Sequence, residues 1–116
     1  MSYVEHVTPA DGNVFADLGF PPDEAANLKI RSTLMRTARR LIEERGLKQA
    51  RAAKLFGVSQ PRISELKRGK IDAFTIDSLI NMLALAGIVV DLSFREATIA
   101  PEPAGEAHVV AEQGAA

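Results

Sequence analysis

The sequence predicts an all-α fold of about four to five helices with one short C-terminal strand. Apolar side chains recur at helical spacing through the middle of the chain, and glycines or capping residues mark the ends of the segments. A single segment, residues 88–94, alternates like a β-strand. The chain has 116 residues, 47% hydrophobic and 25% charged, which is typical of one small globular domain.

Prolines, glycines and changes in composition divide the chain into three regions. Residues 1–22 contain repeated prolines and glycines and should form a loop-like N-terminal arm. Residues 23–96 carry the helical periodicity and the strand, and should form the folded domain. Residues 97–116 are rich in alanine, glutamate, proline and glycine without a period, which is typical of a disordered tail. The sequence has no signal-peptide pattern and no membrane-spanning segment, so a soluble cytoplasmic protein is expected.

The first predicted helix, residues 23–45, is the longest. Prolines and acidic residues at its start favour initiation, and Gly46 should end it. One apolar stripe along this helix follows the spacing i, i+4, i+7, i+8 and consists of Leu34, Ala38, Leu41 and Ile42.

Three shorter helices are expected after the long one. Residues 48–56 form the first of them. Ser59 should cap the second, residues 60–67, and Thr75 should cap the third, residues 76–86. The side chains expected to form the core of the helical domain are Leu34, Leu41, Phe56, Ile63, Leu79 and Leu83.

Positive charge is concentrated in the middle of the chain. Residues 29–70 hold thirteen basic and three acidic residues, a net charge of +10, whereas residues 1–28 carry −5 and residues 71–116 carry −6. The whole chain therefore has a net charge of only −1. This asymmetry indicates a segment that binds a polyanion, with an ordinary solvated helix face as the alternative interpretation.

Residues 46–70 have the pattern of a helix-turn-helix. Gly57 permits a positive φ at a sharp turn between two short helices, and Ala52 and Ala53 are small enough to let the second helix cross closely. The second helix would present a polar face to the DNA major groove. The residues on that outer face are Gln60, Arg62, Ser64, Glu65, Lys67 and Arg68.

The segment around the turn contains Gly46-Leu47-Lys48-Gln49-Ala50, Gly57-Val58-Ser59-Gln60, Ile63-Ser64-Glu65-Leu66 and Gly69-Lys70. This segment resembles the DNA-binding domain of phage repressors, the XRE/Cro-like family. A wider similarity, over residues 12–95, is to compact antitoxins of the HigA class. That resemblance implies a repressor-like helix-turn-helix bundle in a homodimer that represses its own operon and neutralises a ribonuclease-type toxin.

The resemblance implies roles for residues of the second motif helix. Gln60 matches a base-reading glutamine, whose amide can pair with N6 and N7 of adenine. Pro61 departs from the family pattern because it cannot donate a hydrogen bond, so Arg62 becomes the expected guanine reader or phosphate clamp. Glu65 could accept a hydrogen bond from N4 of cytosine. The predicted base-reading residues are Gln60, Arg62, Ser64 and Glu65.

Phosphate contacts are expected at both ends of the motif. Gln49 matches a phosphate-contacting glutamine of the family, and basic residues lie near it and after the second helix. Such contacts give affinity without sequence information. The predicted phosphate contacts are Lys48, Gln49, Arg51, Lys67, Arg68 and Lys70.

The predicted strand, residues 88–94, needs a hydrogen-bonding partner. An isolated strand leaves its N–H and C=O groups unpaired. The N-terminal segment, a second protomer or a toxin could supply the pairing. The apolar face predicted to form a dimer or partner interface consists of Ile88, Val90, Leu92 and Phe94.

No catalytic constellation is evident in the sequence. It contains no cysteine and no glycine-rich phosphate loop, so neither an enzyme, a cofactor nor a metal site is expected. The sequence predicts a homodimeric repressor that binds a palindromic operator in double-stranded DNA at the nucleoid, and the resemblance to the HigA class implies that it is the antitoxin of a toxin–antitoxin pair. The alternatives are a stand-alone or phage-derived regulator without a toxin, and a protein-interaction module that has lost DNA binding.

Overall fold

The computed structural model describes residues 12–96, and the expectation of an all-α fold is confirmed there. The central helix α2 packs against α1, α4, α5 and a 3₁₀ turn, and α3 packs against α4 and α5. The elements in chain order are α1 (Val14–Asp17), α2 (Pro22–Glu44), α3 (Gln49–Phe56), α4 (Gln60–Lys67), the 3₁₀ turn (Ile71–Ala73) and α5 (Ile76–Leu85).

The hydrophobic core lies where α2, α3, α4 and α5 meet. All six side chains expected in the core are buried there, with at most 7% of any residue exposed. Ala38 of α2 and Ala52 of α3 are completely buried, and their small side chains allow close approach of neighbouring elements. Each large apolar side chain so buried contributes about 1.5–3 kcal/mol relative to exposure, which fixes the helices around the motif.

Helix α5 begins at the residue that the sequence predicts as its cap. The hydroxyl of Thr75 accepts a hydrogen bond from the N–H of Ser78 at 3.1 Å, and the hydroxyl of Ser78 accepts one from the N–H of Thr75 at 3.1 Å. This reciprocal pair is a capping box. Phe74, just before the cap, is 2% exposed and belongs to the core.

A short helix, α1, forms where the sequence predicts only loop. Asn13 caps α1, because its side-chain oxygen accepts hydrogen bonds from the N–H groups of Phe15 (2.9 Å) and Ala16 (3.2 Å). The same side chain donates to the carbonyl of Ala25 at 3.1 Å and so ties α1 to α2. The loop expectation for this part of residues 1–22 is therefore wrong. The sequence did not reveal α1 because four residues are too few to show helical periodicity. Residues 1–11 of the predicted arm, and the predicted tail at 97–116, lie outside the described residues.

Residues 88–94 form no strand, which corrects the expected C-terminal element. Within residues 12–96 no segment hydrogen bonds alongside them, and a strand cannot form without such a partner. Instead, the N–H of Ile88 donates to the carbonyl of Leu83 at 2.9 Å and completes the end of α5. Ile88 and Val90 pack against the core, whereas Leu92 and Phe94 are 72% and 89% exposed. The first two residues of the predicted apolar face therefore pack on the core, and the last two are exposed to solvent.

Candidate nucleic-acid interface

The turn between α3 and α4 depends on Gly57. This glycine has φ = +71°, and its N–H donates to the carbonyl of Lys54, so that α3 ends in a left-handed residue. A Cβ at this position would lie 2.7 Å from Cδ1 of Leu85 in α5. The left-handed backbone conformation therefore favours glycine, as the sequence pattern predicts, whereas the contact with Leu85 involves the movable end of an exposed side chain.

Helix α4 is held with one face buried and the other face toward solvent. The hydroxyl of Ser59 accepts a hydrogen bond from the N–H of Arg62 at 3.4 Å, which caps the helix as predicted. Pro61 lies in the first turn, where its missing N–H costs no helical hydrogen bond. Ile63 and Leu66 are fully buried in the core. This anchoring fixes the direction in which the opposite, polar face points.

The four predicted base-reading residues differ in how free their side chains are. Gln60 is exposed at the first position of α4, and Ser64, half-buried, lies one turn further along the same face. Arg62 and Glu65 are brought into contact, because Nη1 of Arg62 lies 2.9 Å from Oε1 of Glu65. The geometry therefore pairs two of the four residues and leaves Gln60 open to solvent.

The six predicted phosphate-contacting residues are all exposed and fall in two groups along the chain. One group lies at the start of α3, and the other lies at and just after the last residue of α4. None of the six has a side-chain hydrogen bond or ion pair with another of the described residues. Their ammonium, guanidinium and amide groups are thus available to an external anion.

The structure also reveals a neighbour of Arg62 that sequence reasoning did not assign to the site. The guanidinium carbon of Arg62 lies over the ring of Phe74, 4.2 Å from the ring centroid. Phe74 lies just before α5, and nothing in its own segment points to a contact with α4. No periodicity links residues twelve positions apart across a loop, so the sequence carried no signal for this pair.

Not every basic residue of the central block faces outward. Arg31 of α2 donates from Nη1 to the carbonyl of Ile71 at 3.1 Å and from Nη2 to the side-chain oxygen of Asn27 at 2.6 Å. It therefore fastens the 3₁₀ turn to α2. Lys29 and Arg36 line an open cavity of about 450 Å³ between α1 and α2. The charge of the block is shared between structural positions and the motif.

Two further properties of residues 12–96 bear on possible functions. No three side chains of His, Cys, Asp or Glu in this part of the chain come together as a metal site would require. None of its helices is long and apolar enough to cross a bilayer.

Comparison with known proteins agrees with the geometry of the motif. A family model described as a helix-turn-helix domain matches residues 14–95. A solved structure described as an XRE family transcriptional regulator superposes with a TM-score of 0.60 at 25% sequence identity. The match covers 70% of this chain and 91% of that structure. A search of curated proteins found no significant match.

Proposed function

This chain belongs to the XRE-like helix-turn-helix family of DNA-binding transcriptional regulators, and we propose that it is a repressor that binds a palindromic operator as a homodimer. One observation carries the proposal. The turn at Gly57 leads into α4, whose polar face is turned away from the core, and exposed cationic groups lie at the start of α3 and at the end of α4. A helix of this kind fits the DNA major groove, with its N-terminal residues nearest the base edges.

In this proposal, the start of α4 reads the bases. Gln60 contributes an exposed amide, which can donate to N7 and accept from N6–H of adenine. Arg62 reads guanine, and Ser64 lies one turn beyond Gln60, within reach of the same groove. Glu65 contacts either a cytosine amino group or Arg62, and the ion pair of the free protein favours the second role.

The two groups at the ends of the motif bind the phosphates on each side of the groove. Lys48, Gln49 and Arg51 belong to the first group, and their position at the start of α3 favours contact with an anion. Lys67, Arg68 and Lys70 belong to the second group. These contacts set the affinity and the register of the protein on DNA but do not read the sequence.

The homodimer brings two recognition helices to successive turns of the duplex. A single α4 of eight residues covers one half-site, so a palindrome requires two copies about 34 Å apart. Ile88 and Val90 fasten the C-terminal segment to its own domain, and Leu92 and Phe94 offer exposed apolar surface to a second copy. Burial of such surface is what stabilises protein association.

The biological setting that we propose is a toxin–antitoxin operon in the cytoplasm, where the protein neutralises a ribonuclease-type toxin. The alternative is a stand-alone or phage-derived regulator without a toxin, which would have the same fold. A short reading frame beside the gene, whose product is toxic alone and harmless when co-expressed with this chain, would support the antitoxin role. A neighbourhood without such a frame would favour the stand-alone regulator.

Selection of DNA sequences tests the proposed function directly. Random duplexes of about 30 base pairs, long enough for two half-sites, are mixed with the full chain and enriched by gel shift. We expect a palindrome to emerge and to bind at least about 10³-fold tighter than a scrambled duplex. No enrichment, or equal binding of all duplexes, would contradict sequence-specific repression and favour an interaction module.

A further inference from the structure

Arg62 is held in place by two side chains from different elements. Phe74, between the 3₁₀ turn and α5, lies beneath the guanidinium at 4.2 Å, and Glu65 of α4 accepts a hydrogen bond from Nη1 at 2.9 Å. Phe74 is 2% exposed and therefore cannot move without disturbing the core. The side chains of Arg62 and Glu65 are about one-third exposed, so the held guanidinium remains at the surface.

The two contacts leave most of the hydrogen-bonding capacity of Arg62 unused. A guanidinium has five N–H donors in one plane, and stacking on a ring occupies its face rather than its edge. Among the described residues, Glu65 is the one acceptor that Arg62 meets through its side chain. The remaining in-plane donors have the fork geometry that matches O6 and N7 of guanine.

We propose that Phe74 and Glu65 are positioning residues, which hold Arg62 ready to read a guanine in the operator. This inference rests on the proposed function, in which α4 enters the major groove. A long, flexible arginine loses much conformational freedom when it binds, and a side chain already fixed in the free protein loses less. Glu65 then accepts from Arg62 instead of from cytosine, and Phe74 becomes a specificity residue that never touches DNA.

A purely structural role for the same contacts has different consequences. If Arg62 only covers the ring of Phe74, changes at these positions alter the stability of the domain and its affinity for every duplex alike. If Arg62 is a positioned reader, they alter the preference for one guanine. Base preference at a single position therefore separates the two roles.

The experiment uses the duplex enriched from the random pool, with each guanine replaced in turn by 7-deazaguanine, which lacks the N7 acceptor. For the full-length Arg62→Ala variant, we expect the wild-type preference for guanine at one position to fall by about fivefold or more. Phe74→Leu and Glu65→Gln should each lower the preference at that same position. Neither change should have a further effect in the Arg62→Ala background, because the residue that they position is gone.

Two matched variants serve as controls. Phe56→Leu makes the same chemical change at an equally buried phenylalanine of the core, and the guanidinium of Arg62 lies over the ring of Phe74 rather than that of Phe56. Glu44→Gln removes a carboxylate from the exposed end of α2. Both controls should keep the wild-type guanine preference, even where Phe56→Leu lowers the melting temperature.

The outcomes distinguish this inference from the proposed function. A palindrome whose guanine preference survives in both Phe74→Leu and Glu65→Gln would overturn the positioning role and leave the repressor intact. The same holds if Phe74→Leu and Phe56→Leu change the preference equally. If Phe74→Leu does not fold, Glu65→Gln decides, because Glu65 is partly exposed and outside the core. Failure to enrich any sequence would overturn both proposals.

Discussion

Gln49 and Gln60 carry the same side chain at the first positions of α3 and α4, and both are exposed. In the proposed complex they have different partners. Gln49 lies on the phosphate side of the motif, and Gln60 lies at the end of α4 that is nearest the base edges. Alanine substitution removes the same side chain at both positions. The Gln60 variant therefore tests sequence specificity, and the Gln49 variant tests affinity for DNA of any sequence.

Replacement of Gln60 by alanine should relax the sequence preference of the protein. A bidentate amide–adenine contact discriminates against the wrong base by about 1–3 kcal/mol, so the ratio of affinities for operator and scrambled duplex should fall by about 5- to 150-fold for each half-site. Gln49→Ala should weaken binding to both duplexes by the same factor. Gel-shift titrations measure both ratios, and an unchanged ratio for Gln60→Ala would show that α4 does not read through this residue.

At the scale of elements, two glycines end helices in the same backbone conformation but in different surroundings. Gly46 after α2 has φ = +60°, and a Cβ there would meet no atom within 4 Å. Gly57 after α3 has φ = +71°, and a Cβ there would meet Leu85 at 2.7 Å. The left-handed conformation is common to both, and the close contact with α5 is specific to the turn of the motif.

We therefore expect Gly57→Ala to destabilise the domain more than Gly46→Ala. The left-handed backbone costs an alanine about 1–2 kcal/mol at either position, and Gly57→Ala must also shift the exposed end of the Leu85 side chain, which adds a smaller cost. For a domain of this size, each 1 kcal/mol lowers the melting temperature by about 4–8 °C. Thermal unfolding followed by circular dichroism provides the measurement. Equal losses would mean that Leu85 moves aside without cost.

At the scale of the whole molecule, the distribution of charge matters more than the net charge of −1. The block at residues 29–70 carries +10, but Arg31 is committed to the 3₁₀ turn, and Lys29 and Arg36 line the cavity between α1 and α2. The predicted phosphate-contacting cations at the motif lie at the start of α3 and at and after the end of α4. The electrostatic footprint on DNA is thus smaller than the charge of the block suggests.

Binding to DNA should depend strongly on salt. About four phosphate contacts per protomer give about eight per dimer, and a plot of log K against log salt concentration should have a slope near −7. Lys67→Ala or Arg68→Ala should reduce the magnitude of this slope by about 2 for the dimer and weaken binding to all sequences alike. Lys29→Ala is the matched control, since Lys29 lies on the α1 side of α2. A flat salt titration would exclude the proposed phosphate contacts.

The dimer should depend on the exposed apolar residues after α5. Leu92→Glu combined with Phe94→Lys places charges on side chains that are 72% and 89% exposed, so the helical core should remain folded. If these side chains are buried between two copies, dimerisation should weaken by several kcal/mol. Leu18→Glu, at a residue that is 70% exposed beside α1, is the control. Sedimentation equilibrium measures the association, and an unchanged dimer would locate the interface elsewhere.

The four longer helices, α2 to α5, and the caps at Ser59 and Thr75 follow from the sequence alone because their causes are local. The stripe that includes Leu34 and Leu41 predicts the buried face of α2, and Thr75 is recognisable as a cap from its own segment. Gly57 identifies the turn of the motif because the turn needs a left-handed backbone, which glycine adopts without steric cost since it has no Cβ. These features depend on residues within a few positions of one another, so periodicity and capping chemistry are sufficient to predict them.

Features that depend on distant residues were decided by the tertiary structure. The ring of Phe74 reaches Arg62 only because α4 and α5 pack around a common core. The alternating segment at 88–94 remains without strand pairing, because among the described residues no second segment lies beside it, and its first residue completes α5 instead. Sequence by itself determined that the four longer helices, α2 to α5, form and which face of each is apolar, whereas the short α1 was not predicted. Tertiary structure decided which polar side chains meet, because that depends on the packing of elements that are far apart in the chain.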